Sequence, residues 1–142
     1  MLGVPRPALA LGLAGLIPFL YGAFAASAPD AAFAGLEGPR VLTTYGLIIF
    51  AYMSGCLWGF AAAKGRATWV WMGLAVAPAV VVFLALAAEP DGALGTLLMA
   101  FPALLIFDFA FWRANLAPRW WMTLRLILTA VVTLCLYVGA NA

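Results

Sequence analysis

The chain has no histidine and only two cysteines. Without histidine it lacks the commonest haem and zinc ligand and the usual general base near neutral pH. Cys56 and Cys135 lie in separate apolar stretches with no CxxC spacing, so they read as small buried hydrophobes and not as a metal clasp or redox pair. Charge is also scarce, at 8% of residues and a net +2. No basic cluster appears, which argues against nucleic acid as a partner. Ser54 and Cys56 are nucleophile types, but no base is spaced to activate either. These absences predict a protein that is not an enzyme and that holds no cofactor or metal.

Apolar residues make up 68% of the chain, whereas a soluble domain holds about half. No soluble fold of 142 residues has enough interior to hide that surface; a bilayer removes the need. A spanning helix takes ~20 mainly apolar residues, and five stretches qualify: 8–27, 41–63, 69–88, 94–112 and 120–140. The first could be a signal peptide, with Arg6 before it and Ala26-Ser27-Ala28 resembling a cleavage site. Its apolar run exceeds the roughly 7–15 residues of such a region, so a retained span is expected. Most breaks are short, which makes sequential helices antiparallel neighbours. The predicted fold is all-α, a polytopic bundle of five transmembrane helices forming one membrane domain over 1–142.

Charge gives the orientation. Arg6, Lys64, Arg66, Arg113 and Arg119 fall at one end of the bundle with no acids among them. Asp30, Glu37, Arg40, Glu89 and Asp91 fall at the other. The positive-inside rule then puts the N-terminus in the cytoplasm and the C-terminus in the periplasm of a bacterial inner membrane. Trp58, Trp69, Trp71, Trp112, Trp120 and Trp121 all lie toward the basic end, and Tyr21, Tyr45 and Tyr137 toward the other. That distribution predicts an interfacial belt, with a docking surface at the basic end as the sharper alternative.

Two ionisable residues stand inside the apolar spans. Asp108 is five residues before Arg113, and Arg125 is six after Arg119. At a rise of 1.5 Å per residue both lie ~7–9 Å in from the same turn, so a pair can form across the hairpin. A structural clamp is the reading favoured over a proton or ion relay or a substrate anchor, because no further titratable group continues the path. Thr129, Thr133 and Tyr137 follow Arg125 at four-residue spacing as a polar stripe expected to bond to its own helix or a neighbour. Ala51, Gly55, Gly59 and Ala63 form a small-residue stripe that predicts close helix packing, within the bundle or between copies. Pro18, Pro78 and Pro102 sit near mid-span, predicting kinks that free the carbonyls of Ala14, Leu74 and Leu98. A ligand cavity at the kinked midplane is one consequence; tight bundle geometry is the other.

With these residues in view, the chain resembles the domain-of-unknown-function family that includes transmembrane protein 69. The likeness is carried by Gly15-Leu16-Ile17-Pro18-Phe19, Tyr45-Gly46, Ile49-Phe50, Ser54-Gly55, Trp58-Gly59 and Pro78, and most specifically by Ala117-Pro118-Arg119-Trp120-Trp121 with Leu124-Arg125 and Leu128-Thr129. It implies a small multi-helix membrane protein, bacterial or mitochondrial, and brings no activity to transfer. The tryptophan-rich sensory proteins share helix number, length and many tryptophans, but place Trp and Pro together within the helices; only Ala117-Pro118-Arg119-Trp120-Trp121 is loosely similar here. The leading expectation is an accessory or assembly subunit working by helix contact, with the lipid bilayer as one partner and another membrane protein or a homodimer as the other. The alternative is a small-molecule binder or transporter.

Overall fold

The computed structural model describes residues 3–142; Met1 and Leu2, the start of the expected domain, lie outside the described residues. Six α-helices follow in order: α1 (Arg6–Ala14), α2 (Ile17–Ser27), α3 (Gly38–Ala63), α4 (Trp69–Ala88), α5 (Ala93–Arg113) and α6 (Trp121–Ala140). Short 3-10 turns at Pro29–Ala31 and Pro90–Gly92 precede α3 and α5. Among the described residues there are five spans long and apolar enough to cross a membrane, α1 and α2 together making the first. Sequential spans pack on one another, and α2 closes the ring against α6.

The first span is discontinuous where a kink was expected. Gly15 and Leu16 keep right-handed helical dihedrals, but the ladder slips: Leu16 donates to Leu13, a three-residue step. Pro18 then stands in the first turn of α2, where its missing N–H costs nothing. Pro78 and Pro102, in contrast, lie within continuous helices.

α3 repairs the backbone at two of these prolines. The Tyr45 hydroxyl donates to Gly15 O at 3.0 Å, and the Ser54 hydroxyl donates to Ala75 O at 3.0 Å. Each acceptor lies three residues before a proline, one residue on from the freed carbonyls expected at Ala14 and Leu74. A proline ring pushes the preceding turn open, so the next carbonyl is loosened as well. In lipid such a group needs a protein donor. Bonds of this kind between membrane helices contribute about 0.6–1.7 kcal/mol each. No side-chain donor reaches the turn before Pro102 among the described residues.

The core runs through Phe19, Leu42, Phe50, Leu97 and Phe101. Phe101 meets Phe19 and Phe50 edge to face, with ring centres 6.0 and 5.5 Å apart, the arrangement that ring quadrupoles favour. Close helix approach comes from glycines other than those expected. A Cβ on Gly22 would stand 2.7 Å from Leu42 Cγ. One on Gly38 would collide with the backbone of Ala26, and one on Gly139 with Leu42. These three lock α2, α3 and α6 together at the acidic end. The stripe of Ala51, Gly55, Gly59 and Ala63 is exposed, and a Cβ on Gly55 or Gly59 would meet nothing within 4 Å. Packing of that stripe within the bundle is therefore corrected. The face of α3 turned inward is instead Leu42, Gly46, Phe50, Ser54, Leu57 and Ala61.

Candidate functional site

Asp108 and Arg125 face each other across the α5–α6 hairpin. The turn between them is set by Asn115, which takes a left-handed φ of 60°, by buried Leu116 and Ala117, and by the Trp112 indole, which donates to Arg119 O at 3.1 Å. With that register fixed, Arg125 Nε donates to Asp108 Oδ2 at 2.9 Å. Asp108 is wholly buried and Arg125 only 2% exposed.

The second carboxylate oxygen goes to a residue expected elsewhere. Trp121 Nε1 donates to Asp108 Oδ1 at 2.9 Å. Trp121 is 7% exposed, and its ring stacks edge to face on Phe60 with centres 4.8 Å apart. Its place in the interfacial belt is thus corrected. Trp58, Trp69 and Trp112 are exposed; Trp71 is half-buried against Phe111, and Trp120 half-buried beside Trp121. Trp121 lies four residues before Arg125, so both project from one face of α6. That spacing was the available signal, and proximity to the membrane surface masked it.

The indole has a consequence for the arginine. A guanidinium and a carboxylate usually meet fork to fork, two N–H groups on two oxygens. Here Trp121 takes one oxygen, and Arg125 Nη2 is buried with no acceptor among the described residues. The same holds for the hydroxyls of Thr129 and Thr133, so the bonds expected from that stripe do not form. Tyr137, its last member, is exposed.

Beside Arg125 lies a cavity of about 480 Å³. Its walls come from the first span (Gly12, Phe19), α3 (Tyr45, Cys56) and α6 (Arg125, Leu128). Exposed Leu11 and Tyr52 border it, so it opens sideways on the surface that a bilayer would cover. The slip at Gly15–Leu16 creates the room: α2 is locked to α3, whereas α1 leans on α6 through Gly12, Leu124 and Leu128. None of Pro18, Pro78 and Pro102 lines this cavity, so a space walled by three kinks at the midplane is corrected. Pro18 instead borders a shallower groove with Tyr21 and Arg40.

Other chemistry is sparse. The Ser54 hydroxyl is engaged by Ala75 O, Cys135 is buried in the core, and Cys56 lines the cavity as a free thiol. Among the described residues no three His, Cys, Asp or Glu side chains are grouped to hold a metal.

No solved structure matches the chain. It is similar to transmembrane protein 69 of Xenopus tropicalis, at 32% identity over 142 aligned positions that cover 93% of this chain and 53% of the relative. The chain thus spans about half the length of the curated relative it matches. The sequence profile of a family described as "Protein of unknown function (DUF3429)" matches residues 4–141, the whole of the five-span bundle and its Asp108–Trp121–Arg125 cluster, and the chain belongs to that family.

Proposed function

We propose that this multi-pass membrane protein binds a small amphipathic molecule, taken from the bilayer into the cavity between the first span, α3 and α6, and that it works without catalysing a reaction. One observation carries this reading: Arg125, its charge balanced by Asp108, forms part of the wall of a mainly apolar cavity. Sites for small molecules are commonly ~300–1,000 Å³, mainly apolar, with few polar groups. Discontinuous membrane helices are a recurrent way of building them. The basic end, with Arg6, Lys64, Arg66, Arg113 and Arg119, is proposed to face the cytoplasm of a bacterial inner membrane. Native mass spectrometry after gentle extraction tests the reading. Wild-type protein is expected to retain a bound small molecule, and Cys56→Phe, which fills the cavity, to lose it. A wild-type protein that flies with nothing attached would overturn it.

Contact with another membrane protein is the second reading, favoured by the open faces of Gly55 and Gly59. A stoichiometric protein partner in the same experiment, lost in a Gly55→Leu/Gly59→Leu variant, would support it.

A further inference from the structure

The Arg125–Asp108 pair also bears on what the molecule is, because Arg125 lines the cavity. Arg125 is already neutralised by Asp108 at 2.9 Å. Both are buried, so the pair has zero net charge in a low-dielectric setting. An anionic ligand would leave that setting with a net negative charge, and a cationic one with a net positive charge. Either carries the heavy cost of an unbalanced charge away from water. A neutral group with an accepting oxygen carries no such cost. It can also accept from the guanidinium where Arg125 borders the cavity, and bonds to a charged donor are the stronger kind.

Shape adds a second constraint. Arg125 is about 9 Å in from the turn at Arg119, by the 1.5 Å rise per residue. The cavity continues past it along α6 to Val132, seven residues on, and is closed there by Phe19 and Phe101. That is about 10 Å of apolar channel beyond the guanidinium. The polar end therefore sits near the basic surface, and an apolar tail points to mid-membrane.

Building on the proposed binding role, we infer that the ligand is a neutral amphiphile whose polar end is a carbonyl or ester oxygen that accepts from the Arg125 guanidinium, with its tail between Leu128, Val132, Phe19 and Phe101. Two sources share this chemistry: the acyl ester of a bilayer phospholipid, and a free neutral lipid dissolved among the tails. Trp121 holds Asp108 Oδ1, so the carboxylate meets Arg125 through Oδ2 alone.

The test uses the full chain in nanodiscs of diether phospholipid, which has no ester carbonyl. Carbonyl-labelled methyl decanoate and, separately, decanoate are titrated in, and the infrared carbonyl band of the ester is followed. Wild type is expected to give a saturable ester population with its band moved to lower wavenumber. The ester should bind roughly tenfold or more tighter than the carboxylate. Arg125→Met/Asp108→Asn keeps the site neutral and retains an acceptor for Trp121; it should lose the shifted band while eluting as a single folded species. Saturable binding with the carboxylate preferred would overturn the neutral class and leave the binding role standing. Ester binding unchanged in the double variant would overturn the role of Arg125. No saturable binding of either probe, with the cavity of the wild type empty by mass, would overturn both. In a parallel sample in diester nanodiscs, weaker apparent binding of methyl decanoate identifies the bilayer's own ester as a competing occupant, and equal binding identifies a free lipid; a preference for decanoate in these discs overturns the class as it does in the diether discs.

Discussion

The two ends of the bundle are built from the same helices in opposite ways. At the acidic end Gly22 and Gly139 close on the Leu42 side chain and Gly38 on the Ala26 backbone, with no room for a Cβ at any of the three. At the basic end the first span slips at Gly15–Leu16, and a cavity of about 480 Å³ separates it from α3. Polar groups follow the same division. The closed end is apolar inside, around Leu42, Leu136 and Cys135; the open end holds Asp108 and Arg125. In lipid, close approach brings gain through van der Waals contact and not through water exclusion. An opening in such a bundle is therefore lost contact energy.

The ion pair offers the largest effect. Asp108→Leu strands a buried guanidinium and is expected to destabilise the bundle by about 3–5 kcal/mol, with Arg125→Met restoring much of it in the double variant. Unfolding in mixed micelles measures both; a double variant as weak as the single would show that the pair is not what holds the open end. Next comes the closed end. Gly38→Val drives a branched side chain into the Ala26 backbone, for a cost of about 1–3 kcal/mol or more. The same assay reads it, and a neutral result would mean that α2 and α3 are not locked there. Ser54→Ala leaves the Ala75 carbonyl beside Pro78 without its donor and should cost about 0.6–1.7 kcal/mol. The smallest effect is expected at the exposed stripe. Gly55→Ala/Gly59→Ala should leave monomer stability within about 0.5 kcal/mol, and a large loss would show that this face is covered.

Much of the frame is legible in the sequence. Span number follows from apolar runs long enough to cross a bilayer, and the two ends from alternation of charge between loops. The Asp108–Arg125 contact could be placed because a tight hairpin fixes depth on both sides at once. Which glycines pack was not legible. Gly55 and Gly59 fall in a recognisable local motif, whereas Gly22, Gly38 and Gly139 meet partners on other helices and show no spacing. A soluble helix would have betrayed its inward face by polarity. α3 is apolar on all sides, so Leu42, Phe50 and Leu57 could not be told from outward Ile48 and Tyr52. Trp121 escaped for a related reason, since an indole near the surface satisfies the interfacial pattern whether or not it turns inward.

The most direct test of the contrast uses the two native cysteines. Cys56 lines the open cavity and Cys135 is sealed beside Leu136 in the closed end. Neither forms a disulfide. Full-length protein in nanodiscs is treated with a small membrane-permeant alkylating reagent, and the rate at each site is followed by peptide mass spectrometry. Cys56 is expected to react severalfold faster, and to slow when methyl decanoate is added, because it is reached from the cavity whereas Cys135 is buried in the core. Equal rates at the two sites would contradict an open basic end, and with it the cavity on which the proposed binding role rests.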